Sequence, residues 1–378
     1  MKFLKALGLL PALIIVIVLR CIRPLVKIRF GGVWSFRLGH LVGNNECYLS
    51  ERDAGMHKGF IDFFYFDGQS SHPLIEKQYR RQLNVLPRWF VRLICGVNRL
   101  FPGFQKFEIG PQQIDRDINN LWEKYAPHLH FAPDDERKGE RLLKSLGIPP
   151  GAKWACLIVR DSAFMKKHDP NHDYSYHDYR DSEVSTYVAT CWELIQRGYY
   201  VIRMGKVAEK RLPIDHPQAI DYPFHPEESD FGQFYLGAKC ALAFGASTGF
   251  MAIPQVFHRP TAVVNFVPIE YISSWLRGIV IWKHHIRDGK RMSMREIFHS
   301  GAGQFMAESQ FTKAGITLED NTSREIYDAV IELEEGLPNH IQLEVWREFP
   351  NSISPFNYTP LHGIAYVRIG REFLKGYL

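Results

Sequence analysis

Three stretches of this sequence place charged or small polar residues directly after an apolar run, where a sheet would present them to a ligand. Arg160-Asp161-Ser162 follows Trp154–Val159, and Arg203-Met204-Gly205 follows Tyr199–Arg203. Phe244-Gly245-Ala246-Ser247-Thr248-Gly249-Phe250 follows Cys240–Phe244. In open α/β sheets, ligands bind beyond the carboxyl ends of the strands. Arginine at such an end has the planar fork that grips a diphosphate, and glycine at Gly205, Gly245 and Gly249 allows backbone to approach closely. A helix opening at Ser247-Thr248-Gly249 would offer unpaired amides to an anion, with two hydroxyls beside them. The bland alternatives are a surface ion pair for Arg160 and a plain helix cap for Ser247 and Thr248. No GKS or GKT follows the glycines, which disfavours a Walker-type ATPase. Asn265 is a further candidate, for contact with a base or a sugar.

Groups able to move a proton lie in two other places. The stretch Lys166–Asp181 holds His168, Asp169, His172, Asp173, Tyr176, His177, Asp178, Tyr179 and Arg180. It reads as a loop that orders over a bound sugar, with Asp178 as a candidate base and Tyr176, His177 and Arg180 as donor contacts; the alternative is a solvated loop capping the next helix. Nearer the start, Arg37-Leu38-Gly39-His40 sits where a first strand meets its helix, with Glu46 two turns on. His40 or Glu46 could take the proton of an acceptor hydroxyl, with Arg37 and Gly39 on the acceptor side of an interdomain cleft; a buried, helix-facing histidine is the competing reading.

The elements that must position these residues alternate. Leu25–Phe30 reads as a strand turning at Gly31 and Gly32, then a helix over about 40–52, then a strand over Phe60–Phe66. Helical patterns follow at 73–83, 88–100 and 114–124. In the second half, strands at 154–159, 199–203, 220–222, 240–244 and 261–266 alternate with helices at 182–197, 230–237 and 249–256, and a last amphipathic helix spans about 323–335. This is the pattern of a doubly wound parallel sheet. The expected fold class is α/β, with two Rossmann-like domains facing a cleft and an N-terminal membrane-associating helix. The boundaries are 1–24 for that segment, 25–146 for the first domain, 147–335 for the second and 336–378 for an unplaced tail.

With 378 residues the chain has room for two α/β cores. A net charge of +5 suits anionic headgroups or phosphorylated substrates and is weak for a nucleic-acid binder. Six scattered cysteines show no metal-ligand spacing and read as reduced core thiols of a cytoplasmic protein, so no metal is expected. The apolar stretch Ala6–Leu19 is shorter than the ~20 residues of a membrane-crossing helix and is flanked by Lys2, Lys5, Arg20, Arg23 and Lys27. Peripheral or monotopic attachment to the cytoplasmic face of the inner membrane is expected. The alternatives are a tilted span and a signal peptide, and the latter lacks a small-residue cleavage site.

Together these residues resemble a bacterial family of GT-B-type glycosyltransferases of surface polysaccharide biosynthesis. The resemblance is carried by Arg29-Phe30-Gly31 to Arg37-Leu38-Gly39-His40, Val159-Arg160-Asp161-Ser162, Tyr176-His177-Asp178-Tyr179-Arg180-Asp181-Ser182, Arg203-Met204-Gly205 and Phe244 to Gly249. Phe311-Thr312-Lys313-Ala314-Gly315 to Asn321-Thr322 looks like its closing segment. A more distant likeness is to fucosyltransferase-like enzymes, in which a strand-end arginine contacts the diphosphate; Arg160 and Ser247–Thr248 would fill those places. The resemblance implies a nucleotide-sugar donor, a glycan or lipid-linked acceptor and no cofactor. It also implies metal-independent transfer, in which Arg160, Arg203 and the helix at Ser247 stabilise charge on the departing diphosphate. A sugar-nucleotide epimerase of the same architecture and a non-enzymatic polysaccharide-assembly protein are the rival readings.

Overall fold

A computed structural model of the chain describes residues 2–109, 116–161, 175–273, 276–337, 342–349 and 366–377, with the side chains of 2–8, 175–177, 343 and 344 outside that description. The chain divides into unit 1, Met1–Asp117 with Leu121–His130, and unit 2, Ile118–Asn120 with Phe131–Leu378. The division falls at His130/Phe131, ahead of the charged stretch expected to mark it. That stretch is a helix of unit 2, running from Pro133 to Ser145 with Pro at its first position and Asp134, Asp135 and Glu136 in its first turn, a favourable start for a helix.

Unit 1 is built on two parallel strands, β1 (Lys27–Trp34) and β2 (Phe60–Asp67). Single parallel bridges from Phe30 to Glu108 and from Phe64 to Val85 extend the layer on either side. The expected turn at Gly31-Gly32 is instead the middle of β1. A Cβ on Gly31 would lie 3.1 Å from the Phe64 ring, so the small residues let the aromatic side chains of β2 lie against β1. Three helices were legible in the sequence: α2 (Leu38–Asp53), α3 (Pro73–Arg80) and α4 (Arg88–Asn98). They follow α1 (Lys2–Ile22), whose Ala12 and Val16 pack with Val91, Ile94 and Val97 of α4. The helix expected over 114–124 does not form among the described residues, where 116–124 make turns; Asp117 instead accepts from the amides of Leu121 and Trp122 at 2.8 Å. Among the described residues no helix is long and apolar enough to cross a membrane.

Unit 2 carries, among the described residues, a seven-stranded all-parallel sheet. Its strands are β3 (Trp154–Ile158), β4 (Tyr200–Met204), β5 (Ala219–Asp221), β6 (Leu242–Ala246), β7 (Thr261–Phe266), β8 (Gly278–Trp282) and β12 (Arg368–Ile369). The order is β12-β8-β7-β6-β3-β4-β5. Every residue of β3 and β6 is buried, as a sheet covered on both faces requires. The chain winds from β3 outward to β5, then returns to β6 on the other side of β3, so the topological switch point lies between β3 and β6. Helices α5 (Pro133–Ser145), α6 (Val188–Gln196), α7 (Asp230–Lys239), α8 (Ala252–Val256) and α9 (Ser323–Glu334) accompany the sheet. A capping box at Thr322 and Glu325 starts α9. A small antiparallel sheet, β9 (His284–Arg287), β10 (Lys290–Arg291) and β11 (Ile316–Glu319), hangs from the end of β8. The tail is not irregular throughout: its Arg368–Ile369 pair parallel to β8 at the sheet edge.

Candidate functional site

The switch point of unit 2 gathers the residues singled out in the sequence, though not all in their expected roles. Gly245 sits inside β6 opposite Ile158 of β3, with φ +133°, and a Cβ there would lie 1.9 Å from the Ile158 carbonyl oxygen. Only glycine lets the two central strands come this close. Past it, Ser247 and Thr248 are half-buried and Gly249 is exposed. Thr248 caps the next turn, its Oγ1 accepting from the Phe250 amide at 3.3 Å. The expected helix over 249–256 is a 3-10 turn running directly into α8.

Arg160 follows β3, and its Nε donates to Asp181 at 3.1 Å while its carbonyl accepts from the Ser182 amide. Arg180 donates from Nη2 to the Ser247 carbonyl at 3.2 Å. The Tyr-Arg-Asp-Ser stretch is therefore folded across the ends of β3 and β6, with Arg180 on the Ser247 carbonyl and Arg160 paired to Asp181. Asp178 is exposed on this segment, in the 3-10 turn Ser175–Arg180. Ser162 and the side chains of Tyr176 and His177 lie outside the described residues.

Other expected contacts are corrected. Arg203 does not project beyond β4. The strand ends one residue later than expected, and Arg203 is only 1% exposed. Its guanidinium pairs with Asp161 at 3.4 Å and Asp221 at 3.6 Å and donates to the Lys210 carbonyl, so it serves as an internal brace of the strand ends. Gly205, φ +137°, is held by Gln233 of α7, which accepts from its amide and donates to its carbonyl. Asn265 is buried with φ +52°, a backbone form that asparagine tolerates. It exchanges two 2.6 Å hydrogen bonds with Asn321 and stitches β7 to the start of α9 instead of meeting a ligand.

Beside Asp161 and Asp181 lies a cavity of about 290 Å³, also lined by Ser182, Arg203, Lys210 and Asp320. Carboxylates outnumber cations on its wall, which suits acceptance from sugar or ribose hydroxyls. One residue here was missed in the sequence. Lys283, directly after β8, is almost buried and donates to the Asp181 carbonyl at 2.6 Å and pairs with Asp320 at 2.7 Å. Asp181, read as one of the polar side chains of the loop over 166–181, is here the partner of both Lys283 and Arg160. The rule that found Arg160, a polar residue following an apolar run, also finds Lys283 once Gly278–Trp282 is recognised as a strand.

Burial pushes the Asp181 carboxyl up to about 6; Asp178 and Asp161 add to this, while Arg160 and Lys283 oppose it. Ionised above that pH, Asp181 competes for the Arg160 fork; neutral below it, the aspartate releases the fork. The affinity for a nucleotide-sugar, whose diphosphate diester does not titrate in this range, should therefore rise as pH falls through 6. Asp181→Asn should bind roughly three- to tenfold more tightly near neutrality, with a flattened pH profile. Calorimetric titration of both proteins checks this; weaker binding by the variant than by its parent would count against competition for Arg160.

In unit 1, Arg37 is exposed and Gly39 and His40 are half-buried in the first turn of α2. The His40 ring stands edge-on to Trp34 at 5.0 Å, and Trp34 and Phe36 are themselves exposed. Glu46 is corrected: at 3% exposure it is an interior group. It accepts from the His128 amide and faces His128 Nδ1 at 2.9 Å, and it accepts from the Tyr79 hydroxyl at 3.3 Å. Burial works to lower the His128 pKa, but Glu46 and Asp53, one on each ring nitrogen, outweigh it and raise it. Glu46 thus ties His128 to α2, an interior role in place of an exposed base. Among the described residues no group of three or more His, Cys, Asp and Glu is arranged to hold a metal ion. The six cysteines are free thiols, with Cys21 exposed.

No protein-family model matches the sequence, and no curated protein matches it. Among solved structures, the chain is similar to Escherichia coli ADP-heptose lipopolysaccharide heptosyltransferase II, with 10% identity over 69% of this chain and 92% of that one and a TM-score of 0.41. It is similar to a family 9 glycosyl transferase from Veillonella parvula, with 12% identity over 82% and 97% and a TM-score of 0.45. A UDP-N-acetylglucosamine 2-epimerase is also similar, with 11% identity over 84% and 98% and a TM-score of 0.30. Likenesses of this size assign no function to the chain.

Proposed function

We propose that this chain is a glycosyltransferase that moves a sugar from a nucleotide-activated donor to a surface-polysaccharide or lipid-linked acceptor. The observation that carries the reading is that one folded segment at the β3/β6 switch point ties Arg160, through Asp181, and Arg180, through the Ser247 carbonyl, to the ends of these strands. Two guanidinium groups and a turn of small residues suit a diphosphate, and fixed donors of this kind stabilise the charge that grows on it as the sugar leaves. The carboxylate-lined cavity beside them suits the hydroxyls of the donor. Arg37, Gly39 and His40, beside the exposed Trp34 and Phe36, are the acceptor-side candidates, with His40 as the proton acceptor. Arg160 takes the leading electrostatic role, Arg180 replaces Arg203 as its partner, and the transfer needs no metal.

A thermal-shift screen against ADP, UDP, GDP, CMP and dTDP tests the donor, because a ligand that prefers the native state raises the melting temperature. One nucleotide is expected to stabilise the chain, and chelation with EDTA is expected to leave that shift and the transfer rate unchanged. Incubation with the corresponding nucleotide-sugar but no acceptor should leave it intact; conversion to a new nucleotide-sugar would make the chain an epimerase. Stabilisation by none of these nucleotides would favour the rival reading, a binding protein for polysaccharide intermediates.

A further inference from the structure

Helix α1 is apolar on two opposite sides, and unit 1 covers only one. Ala12 and Val16 are packed against α4. On the other side Leu10 is 62% exposed, Ile14 55% and Val18 50%, with Ile17 between them and Leu9 nearby. Spacings of four, three and one place Leu10, Ile14, Ile17 and Val18 on one stripe of the helix. A stripe of large aliphatic side chains left in water marks a surface for a partner.

We propose that α1 lies in the plane of an anionic bilayer surface, with this stripe among the acyl chains and unit 1 above it. Charge decides the occupant. The first 45 residues hold seven Lys and Arg and no Asp or Glu, so they carry more positive charge than the whole chain's net +5, and the remainder is slightly acidic. Lys2 and Lys5 precede the apolar stretch and Arg20, Arg23 and Lys27 follow it. A second copy docked through the same stripe would bring two strongly basic segments together, whereas anionic headgroups neutralise them. Packing decides the orientation. Crossing the membrane would bury the middle of α1 together with the helix fixed to it, and α4 carries Arg88 and Arg92 exposed. The end of α1 is fastened as well: Arg20 donates to the Asn98 Oδ1 at 2.7 Å and to the Pro102 carbonyl at 3.0 Å. A helix pinned along one side and at its end can lie on a membrane but cannot thread it. This inference does not depend on the glycosyltransferase reading.

The test is co-flotation of the full chain with vesicles of phosphatidylcholine, with and without phosphatidylglycerol. The parent should float with the phosphatidylglycerol vesicles, less so at high salt, and be released by alkaline carbonate. Ile14→Glu/Val18→Glu should lower the bound-to-free ratio at least tenfold, an estimate from the apolar area withdrawn from lipid. Both positions face solvent, so its melting temperature should match the parent's. Failure of the parent to float, or resistance to alkaline carbonate, would overturn the proposal. So would a vesicle-free dimer, seen by sedimentation equilibrium, that the double variant dissolves.

Discussion

Arg160→Ala is expected to weaken nucleotide diphosphate binding and to lower kcat/KM by about 10²–10³-fold, the scale seen when one preorganised donor to a developing oxyanion is removed. The folded protein should tolerate the change. Arg160 is partly exposed, and among the described residues its side chain pairs with Asp181, a type of contact worth at most about 1 kcal/mol near a surface. The melting temperature should therefore move little while binding collapses. Arg160→Lys should recover only part of the loss, because an ammonium supplies the charge without the bidentate fork. Calorimetric titration with the nucleotide found by thermal shift, followed by initial rates, measures both effects. An Arg160→Ala protein that binds its nucleotide like the parent would remove the basis of the functional assignment.

Gly245→Ala should have the largest effect on stability, a loss of more than about 4 kcal/mol that leaves unit 2 unable to fold. The new methyl group would lie 1.9 Å from the Ile158 carbonyl oxygen and 2.7 Å from its carbon. These are backbone atoms of the neighbouring central strand, so no rotamer change relieves the clash, and φ +133° adds strain of its own. Gly31→Ala is the comparison. There the nearest atoms, at 3.0–3.2 Å, belong to the side chains of Ile109 and Phe64, which can give way, and a loss of about 1–3 kcal/mol is expected. Urea unfolding of the two variants beside the parent separates the cases. A Gly245→Ala protein within 1 kcal/mol of the parent would show that β3 and β6 do not approach as described.

The parallel sheet of unit 2 was legible because β3, β4, β6 and β7 are short apolar runs, most of them separated by helix-length segments. Where that alternation breaks, sequence reasoning failed. Between β7 and β8 the described chain holds only a 3-10 turn, Ile269–Tyr271, so the run Gly278–Trp282 had no helix to mark it, and Lys283 was overlooked with it. The last strand is two residues long, too short for any periodicity. The error at Arg203 is one of register. Placing the strand end one residue early put Arg203 beyond the sheet, whereas its buried guanidinium braces Asp161 and Asp221 at one wall of the cavity. Asn265 was misread because its partner, Asn321, is distant in sequence. Glu46 looked like a base because nothing local announces that His128 and Tyr79 close over it. By contrast, Arg160 and the Gly245–Gly249 turn stand where a local rule about strand ends puts them, while Arg180 was singled out only as part of the polar loop ahead of α6.

The strand order has a consequence for how the chain is made. The central strand of the large sheet, β3, is the first of that sheet to be synthesised, and β4 and β5 can add to one of its edges at once. Its other edge must wait for β6, and then β7 and β8 in turn. Until then it presents an open row of amides and carbonyls along a wholly apolar strand, a template for pairing with another nascent chain. Slow or stalled translation between Asp221 and Leu242 would prolong that window and favour such mispairing.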